Sequence, residues 1–354
     1  MTATRRAFQA AMTEDEGRLA PLGDFAPNPG ALDALCHVPE GLAEGAPLVV
    51  ILHGCTQNAA VYDRGSGWSA LADRHGFALL YPQQRRANNS NLCFNWYSPA
   101  DARRDRGEAK SIAAMIAHMI KTHGLDPSRV FVTGLSAGGA MTAVMLASYP
   151  ELFAGGAIIA GLPFASANTL PAALERMRGE GSPSRHELAA RAGEASAQKG
   201  PHPTLSVWHG THDGIVDIAN AGVIVDQWRD LHGIGKVDGD VETIGRHRRE
   251  TWRDAKGRAL VERIDVAGMG HGTPIDTRGE ESVGRAAPHM LESGICSTTA
   301  IAERWGITVP RKAQRVPKPI TVDAVPAPSP TFMPSHNAIG AVIEDALRTA
   351  GLMR

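Results

Sequence analysis

The sequence predicts an α/β fold, a mostly parallel sheet with helices on both faces, and three observations predict it. Short apolar runs rich in β-branched residues recur along the chain, segments with helical spacing lie between them, and a glycine-framed turn joins one run to one such segment. The first clear run is Pro47, Leu48, Val49, Val50, Ile51 and Leu52, closed by His53 and Gly54. A continuous apolar run of this length reads as a strand buried on both faces. Further runs follow at Phe77 to Tyr81, Val130 to Thr133, Ala157 to Ala160, Leu205 to Trp208 and Leu260 to Val266. Ser111 to Ile120 and Ala140 to Ala147 have helical spacing. Strands alternating with helices imply parallel pairing, because each return to the same end of the sheet needs a crossover.

Residues 1–20 are polar and read as a flexible N-terminus, and residues 21–310 read as one domain. Within it, 162–204 breaks the strand–helix rhythm. It is rich in Ala, Glu and Arg and long enough to fold over one end of the sheet as a cap-like insertion. From 311 to 354 the prolines at 317, 319, 326, 328, 330 and 334 preclude a continuous helix or central strand. The tail then closes on Ile339, Val342, Ile343, Ala346 and Leu347, the spacing of an amphipathic helix that docks on the domain or on a partner.

At 354 residues with 43% hydrophobic content, the chain can bury one large core and still carry long surface insertions. A net charge of -1 gives no footprint for nucleic acid or an anionic membrane. The run Arg246, His247, Arg248, Arg249 reads as a solvated loop or strand face. Met1 to Gly17 lacks the apolar core of a secretory signal, and no window spans a bilayer, so a cytoplasmic location is expected. Four cysteines, Cys36, Cys55, Cys93 and Cys296, without CxxC spacing call for neither zinc nor a disulfide framework. No cofactor is expected, and the oligomeric state is open.

The chemistry concentrates at Gly134-Leu135-Ser136-Ala137-Gly138, after the strand Val130 to Thr133 and before a helix containing Met141, Val144 and Met145. A nucleophile elbow needs this context: serine sits on a tight strand-to-helix turn that only small neighbours permit. A serine hydroxyl is a weak nucleophile and needs a base held by a carboxylate. In the α/β-hydrolase fold these follow in the order Ser, acid, His. Asp213 lies in His209-Gly210-Thr211-His212-Asp213, directly after a strand, and His271 lies in Gly268-Met269-Gly270-His271-Gly272, shortly after another. Asp217 is the alternative acid, and His209 with His212 resembles a metal pair that lacks a third ligand. An oxyanion hole would use the N–H of Ala137 and one from the loop His53-Gly54-Cys55-Thr56-Gln57. Cys55 is favoured there and its neighbour Thr56 stays open.

These residues resemble the esterases of the poly(3-hydroxybutyrate) depolymerase family. The likeness covers roughly residues 20 to 310 and rests on LHGCTQ (52–57), GSGW ending at Trp68, YPQQ (81–84), CFNWY (93–97), GLSAGGAM (134–141), HGTHD (209–213) and GMGHGTP (268–274). The resemblance implies a Ser136, Asp213, His271 triad. It also implies hydrolysis of hydroxyalkanoate polyesters or oligomers, or of feruloyl or acetyl esters of plant polymers. Similar enzymes are secreted, which leaves an extracellular location open, while the missing export signal and polymer-binding module favour soluble oligomers. A Cys55–Cys93 bridge would pin the oxyanion loop; two free thiols are the alternative. Acyl transfer to an alcohol and a non-catalytic binding protein of the same fold are the competing functions, the latter opposed by the complete triad set.

Overall fold

The computed structural model describes residues 18–196, 200–279 and 281–308. The proline-rich stretch and terminal helix expected at 311–354, and residues 1–17, lie outside them. Ten strands form one sheet: β1 (Ala20–Pro21), β2 (Asp33–His37), β3 (Leu48–Leu52), β4 (Ala78–Gln83), β5 (Val130–Leu135), β6 (Gly155–Ile159), β7 (Thr204–Gly210), β8 (Asp240–Ile244), β9 (His247–Arg253) and β10 (Ala259–Val266). Their spatial order is β1-β2-β4-β3-β5-β6-β7-β10-β9-β8. The middle strands, from β4 across to β10, are parallel, and antiparallel strands extend both edges. Every apolar run picked out in the sequence is a parallel strand of this centre.

All five residues of β3 are fully buried. Leu48, Val50 and Leu52 enter one core cluster and Val49 and Ile51 the other, on opposite sides of the sheet. Each such side chain contributes roughly 1.5–3 kcal/mol by leaving water. That two-sided burial is why the central strands read as unbroken apolar runs rather than alternating ones.

The helices are α1 (Ala59–Ser66), α2 (Trp68–His75), α3 (Gly107–His123), α4 (Ala137–Ser148), α5 (Leu170–Met177), α6 (Arg185–Glu194), α7 (Ala219–Leu231) and α8 (Ser297–Arg304). The stretches with helical spacing fall inside α3 and α4. All twelve residues of α4 are buried, so the helix behind the glycine-framed turn is enclosed all round. Between β6 and β7 the chain forms α5 and α6. Gln227 of α7 ties that segment down, accepting from the Phe164 N–H at 3.1 Å and donating to the carbonyls of Phe164 and Leu188 at 3.0 and 2.9 Å. The Arg246–Arg249 run enters β9: Arg248 is exposed and pairs with Glu250, Arg249 pairs with Glu242, but His247 turns inward and is 3% exposed. Two further short strands, β11 (Thr273–Ile275) and β12 (Met290–Glu292), pair with each other. Among the described residues no helix is long and apolar enough to cross a membrane.

Candidate active site

Strand direction decides where functional groups gather. β5, β7 and β10 run parallel, so the loops after Leu135, Gly210 and Val266 leave the sheet at the same end. Ser136, Asp213 and His271 stand on those three loops. Carboxyl ends of parallel strands are where α/β folds place ligands and catalytic groups.

Ser136 has φ 57° and ψ -118°, a backbone conformation that costs a non-glycine residue free energy and is retained only where the surroundings impose it. Its N–H donates to Ile159 O of β6 at 2.9 Å. The turn is packed too closely for side chains on either flank. A Cβ at Gly134 would lie 2.4 Å from Gly138 O, and one at Gly138 would lie 2.2 Å from Leu52 O, at the end of β3. These contacts account for the glycines of the motif and bring the start of α4 against the loop that carries Cys55.

The Asp213 carboxylate has no exposed surface. Its Oδ1 accepts from the N–H groups of Ile215 and Val216, both at 2.9 Å, and its Oδ2 lies 2.8 Å from His271 Nδ1 and 3.3 Å from His209 Nε2. Burial opposes ionisation, yet the bonds from His209 and His271 outweigh it and hold the carboxyl well below the usual carboxylate range. Asp217, the alternative acid, is exposed and accepts from Ala219 N–H at 2.8 Å at the start of α7. Among the described residues it pairs with no histidine, and it serves the helix terminus.

His209 is fully buried, and its Nε2 also lies 2.8 Å from Val216 O. A carbonyl only accepts, so Nε2 carries the proton and faces both that oxygen and the carboxylate. His212 is exposed, with its ring 3.1 Å from Thr211 Oγ1. The two histidines are therefore not brought together as a metal pair, and among the described residues no group of three His, Cys, Asp or Glu could hold a metal ion. The Asp213 and His271 loops are stitched directly: His212 N–H donates to Met269 O at 2.9 Å, and Gly268 N–H to Thr211 Oγ1 at 2.8 Å. A Cβ at Gly210 would sit 2.3 Å from Met269 O, so the two loops touch backbone to backbone. His289 Nδ1 supports the His271 carbonyl at 3.2 Å.

The loop after β3 is fixed from several sides. Cys55 and Cys93 form a disulfide. Thr56 donates its N–H to Asn91 O at 2.7 Å, while the N–H groups of Cys55 and Ala137 make no hydrogen bond among the described residues. His53 is buried between two backbone groups, its Nδ1 2.8 Å from Gly54 O and its Nε2 3.2 Å from the Gln84 N–H. Burial pulls its pKa down to about 4, so the ring is neutral and acts as a brace. Beneath the 84–95 segment lies Glu108, which accepts from Gln84 Nε2 at 2.6 Å, Asn95 Nδ2 at 2.7 Å and Asn95 N–H at 2.8 Å. Burial pushes its carboxyl up to about 7 despite those three donors.

A family model described as esterase PHB depolymerase matches residues 32–253. The chain belongs to that family. It is 44% identical over 292 residues to poly(3-hydroxyalkanoate) depolymerase C of Paucimonas lemoignei, spanning 82% of this chain and 70% of that one. It is also 32% identical to an acetylxylan esterase of Coprinopsis cinerea, over 73% of this chain and 70% of the relative. Among solved structures, an acetyl xylan esterase from Aspergillus awamori superposes with a TM-score of 0.70 at 25% identity, covering 82% of this chain and all of the other. The fold is thus the α/β-hydrolase fold, and this PHB depolymerase family member is a serine carboxylic ester hydrolase.

In this esterase the disulfide closes a span of 38 residues, which stabilises the fold by about 2–4 kcal/mol on the chain-entropy account. Cys55→Ser is expected to lower Tm by roughly 5–10 °C and to reduce turnover. Cys55→Ser/Cys93→Ser should be no worse than either single variant, because both remove one bond. Melting curves and ester hydrolysis check this. Two reactive thiols mapped to these positions in native, unreduced protein would contradict it.

Proposed function

We propose that Ser136, His271 and Asp213 form the catalytic triad, with the N–H groups of Cys55 and Ala137 as the oxyanion hole. The observation that carries this reading is the 2.8 Å contact between His271 Nδ1 and the ionised Asp213, on loops beside the strained turn of Ser136. The contact leaves His271 Nε2 as the base that takes the Ser136 Oγ proton while Oγ attacks the ester carbonyl. The tetrahedral oxyanion is held by the two unengaged N–H groups. Thr56, whose N–H is engaged by Asn91, is set aside. On collapse, His271 gives its proton to the departing alkoxide, leaving an acyl-enzyme, and water then repeats the sequence to release the acid.

The substrates in this reading are hydroxyalkanoate oligomers or polyester, supported by the 44% identity to poly(3-hydroxyalkanoate) depolymerase C. A second reading, feruloyl or acetyl esters of plant polymers, is favoured by the TM-score of 0.70 to an acetyl xylan esterase and by 29% identity to feruloyl esterase B of Talaromyces funiculosus. Residues 162–204 serve as the cap-like insertion of a catalytic domain at 21–310, a role consistent with α5 and α6 interrupting the β6–β7 crossover. The Cys55–Cys93 bridge favours an oxidising compartment over the cytoplasm.

The deciding experiment is hydrolysis of 3-hydroxybutyrate oligomers, polyester film, p-nitrophenyl acetate, methyl ferulate and acetylated xylan under one set of conditions. Oligomers are expected to have the highest kcat/KM. A preference of tenfold or more for ferulate or acetylxylan would move the assignment to the second reading.

A further inference from the structure

A cavity of about 800 Å³ lies between the 96–106 segment and the 164–195 region, and none of Ser136, Asp213, His271, Cys55 or Ala137 lines it. Its volume falls in the range of small-molecule sites. Its charge is lopsided: five arginines line it against a single acid, Glu194. Arg103 and Arg106 are exposed and form no ion pair among the described residues. Two of the nearby carboxylates are already engaged, Glu151 by Arg104 at 2.7 Å and Asp105 by Lys110 at 2.8 Å.

Arg176 is the unusual member. It is 5% exposed, its Nη2 reaches Glu175 at 3.0 Å, and its Nη1 is buried with no hydrogen-bond partner. A guanidinium N–H shut away from water without an acceptor is costly, and a side-chain shift that turned it onto an anion in the cavity would relieve that cost. Trp96, Tyr97 and Phe164 also line the cavity, among small residues such as Ala102, Ala165 and Ala172, and Trp96 and Tyr97 pack edge to face at 5.7 Å. Guanidinium groups beside aromatic rings suit an anion with an apolar body better than a bare inorganic ion.

We propose that this cavity binds an organic carboxylate with an apolar body, the class of molecule that ester hydrolysis itself releases. The inference rests on the reading of hydroxyalkanoate or feruloyl esters, whose cleavage leaves a carboxylate on a larger carbon body; an acetyl ester would leave only acetate. Binding here would let the enzyme retain or sense its acid product, or the carboxylate end of an oligomer, apart from the reacting atoms.

The test is calorimetric titration of the Ser136→Ala protein, which keeps the probe intact. The probes are the 3-hydroxybutyrate trimer free acid, its methyl ester and inorganic phosphate. The free acid is expected to bind at least tenfold more tightly than the other two. Arg103→Gln/Arg106→Gln, confined to exposed side chains, should weaken it about tenfold or more, and Arg176→Met should do the same. In the background with Ser136 intact, the double variant should turn over p-nitrophenyl acetate as before. Equal affinity for acid and methyl ester, no binding of the acid, or indifference to the arginine substitutions overturns the proposal. Phosphate binding as tightly as the acid overturns the organic-carboxylate assignment. Failure of the enzyme to hydrolyse this trimer would count against the substrate reading alone, since the titration needs no turnover.

Discussion

Ser136→Ala is expected to lower ester hydrolysis by on the order of a million-fold, the scale seen when a triad nucleophile is removed from a serine protease. The substitution deletes one oxygen from a side chain that is 8% exposed, and its backbone neighbours are unchanged. The Ser136 N–H bond to Ile159 O and the approach of Gly138 to Leu52 O do not involve that oxygen, so the fold should persist. The check is steady-state hydrolysis of a p-nitrophenyl ester beside a thermal melt. Near wild-type turnover by a folded variant would show that another group attacks the ester.

Asp213→Asn should be almost as damaging, with kcat down about four orders of magnitude as in the corresponding protease substitution. The carboxylate accepts from four directions: two backbone N–H groups on Oδ1, and His271 and His209 on Oδ2. An amide replaces one of those acceptors by a donor, so it either opposes the backbone N–H pair or turns its NH2 toward the imidazoles. Asp217→Asn touches the start of α7 and the turn at Gly179 and should change kcat by a few-fold at most. The reverse ranking of the two variants would move the acid to Asp217. There is a linked effect on stability. Because the Asp213 pKa is depressed in the fold, its ionised form stabilises the protein above the ordinary carboxylate range, and that contribution is lost as pH falls toward the depressed value. Asp213→Asn should flatten that part of the stability–pH curve.

The central strands were legible because both of their faces are buried, which leaves an unbroken apolar signature from Leu48 to Leu52. The edge strands were not. β8 is exposed along most of its length, and β9 mixes exposed arginines with the inward-facing His247, so neither has the composition of a buried strand. At the candidate site, the glycines mark the turn that carries Ser136, and the ends of β7 and β10 mark the loops that carry Asp213 and His271. His209 looked like half of a metal pair because sequence spacing carries no direction. Only the fold shows its Nε2 turned to Val216 O and Asp213. Glu108 had no signal at all: it lies in α3 among residues of ordinary helical pattern, and its partners Gln84 and Asn95 belong to a segment that precedes it in the chain.

The sheet order also has a kinetic consequence. Ser136, Asp213 and His271 depend on β5, β6, β7 and β10 lying side by side, and β10 reaches β7 only after the chain has passed through β8 and β9. Parallel pairings between such distant segments carry a large loop-closure cost before any contact repays it, so they form late. Helices such as α3 and α4 rest on local contacts and can form early. During refolding, recovery of ester hydrolysis should therefore trail the return of helical circular dichroism, making enzymatic activity a clock for the last sheet pairings to close.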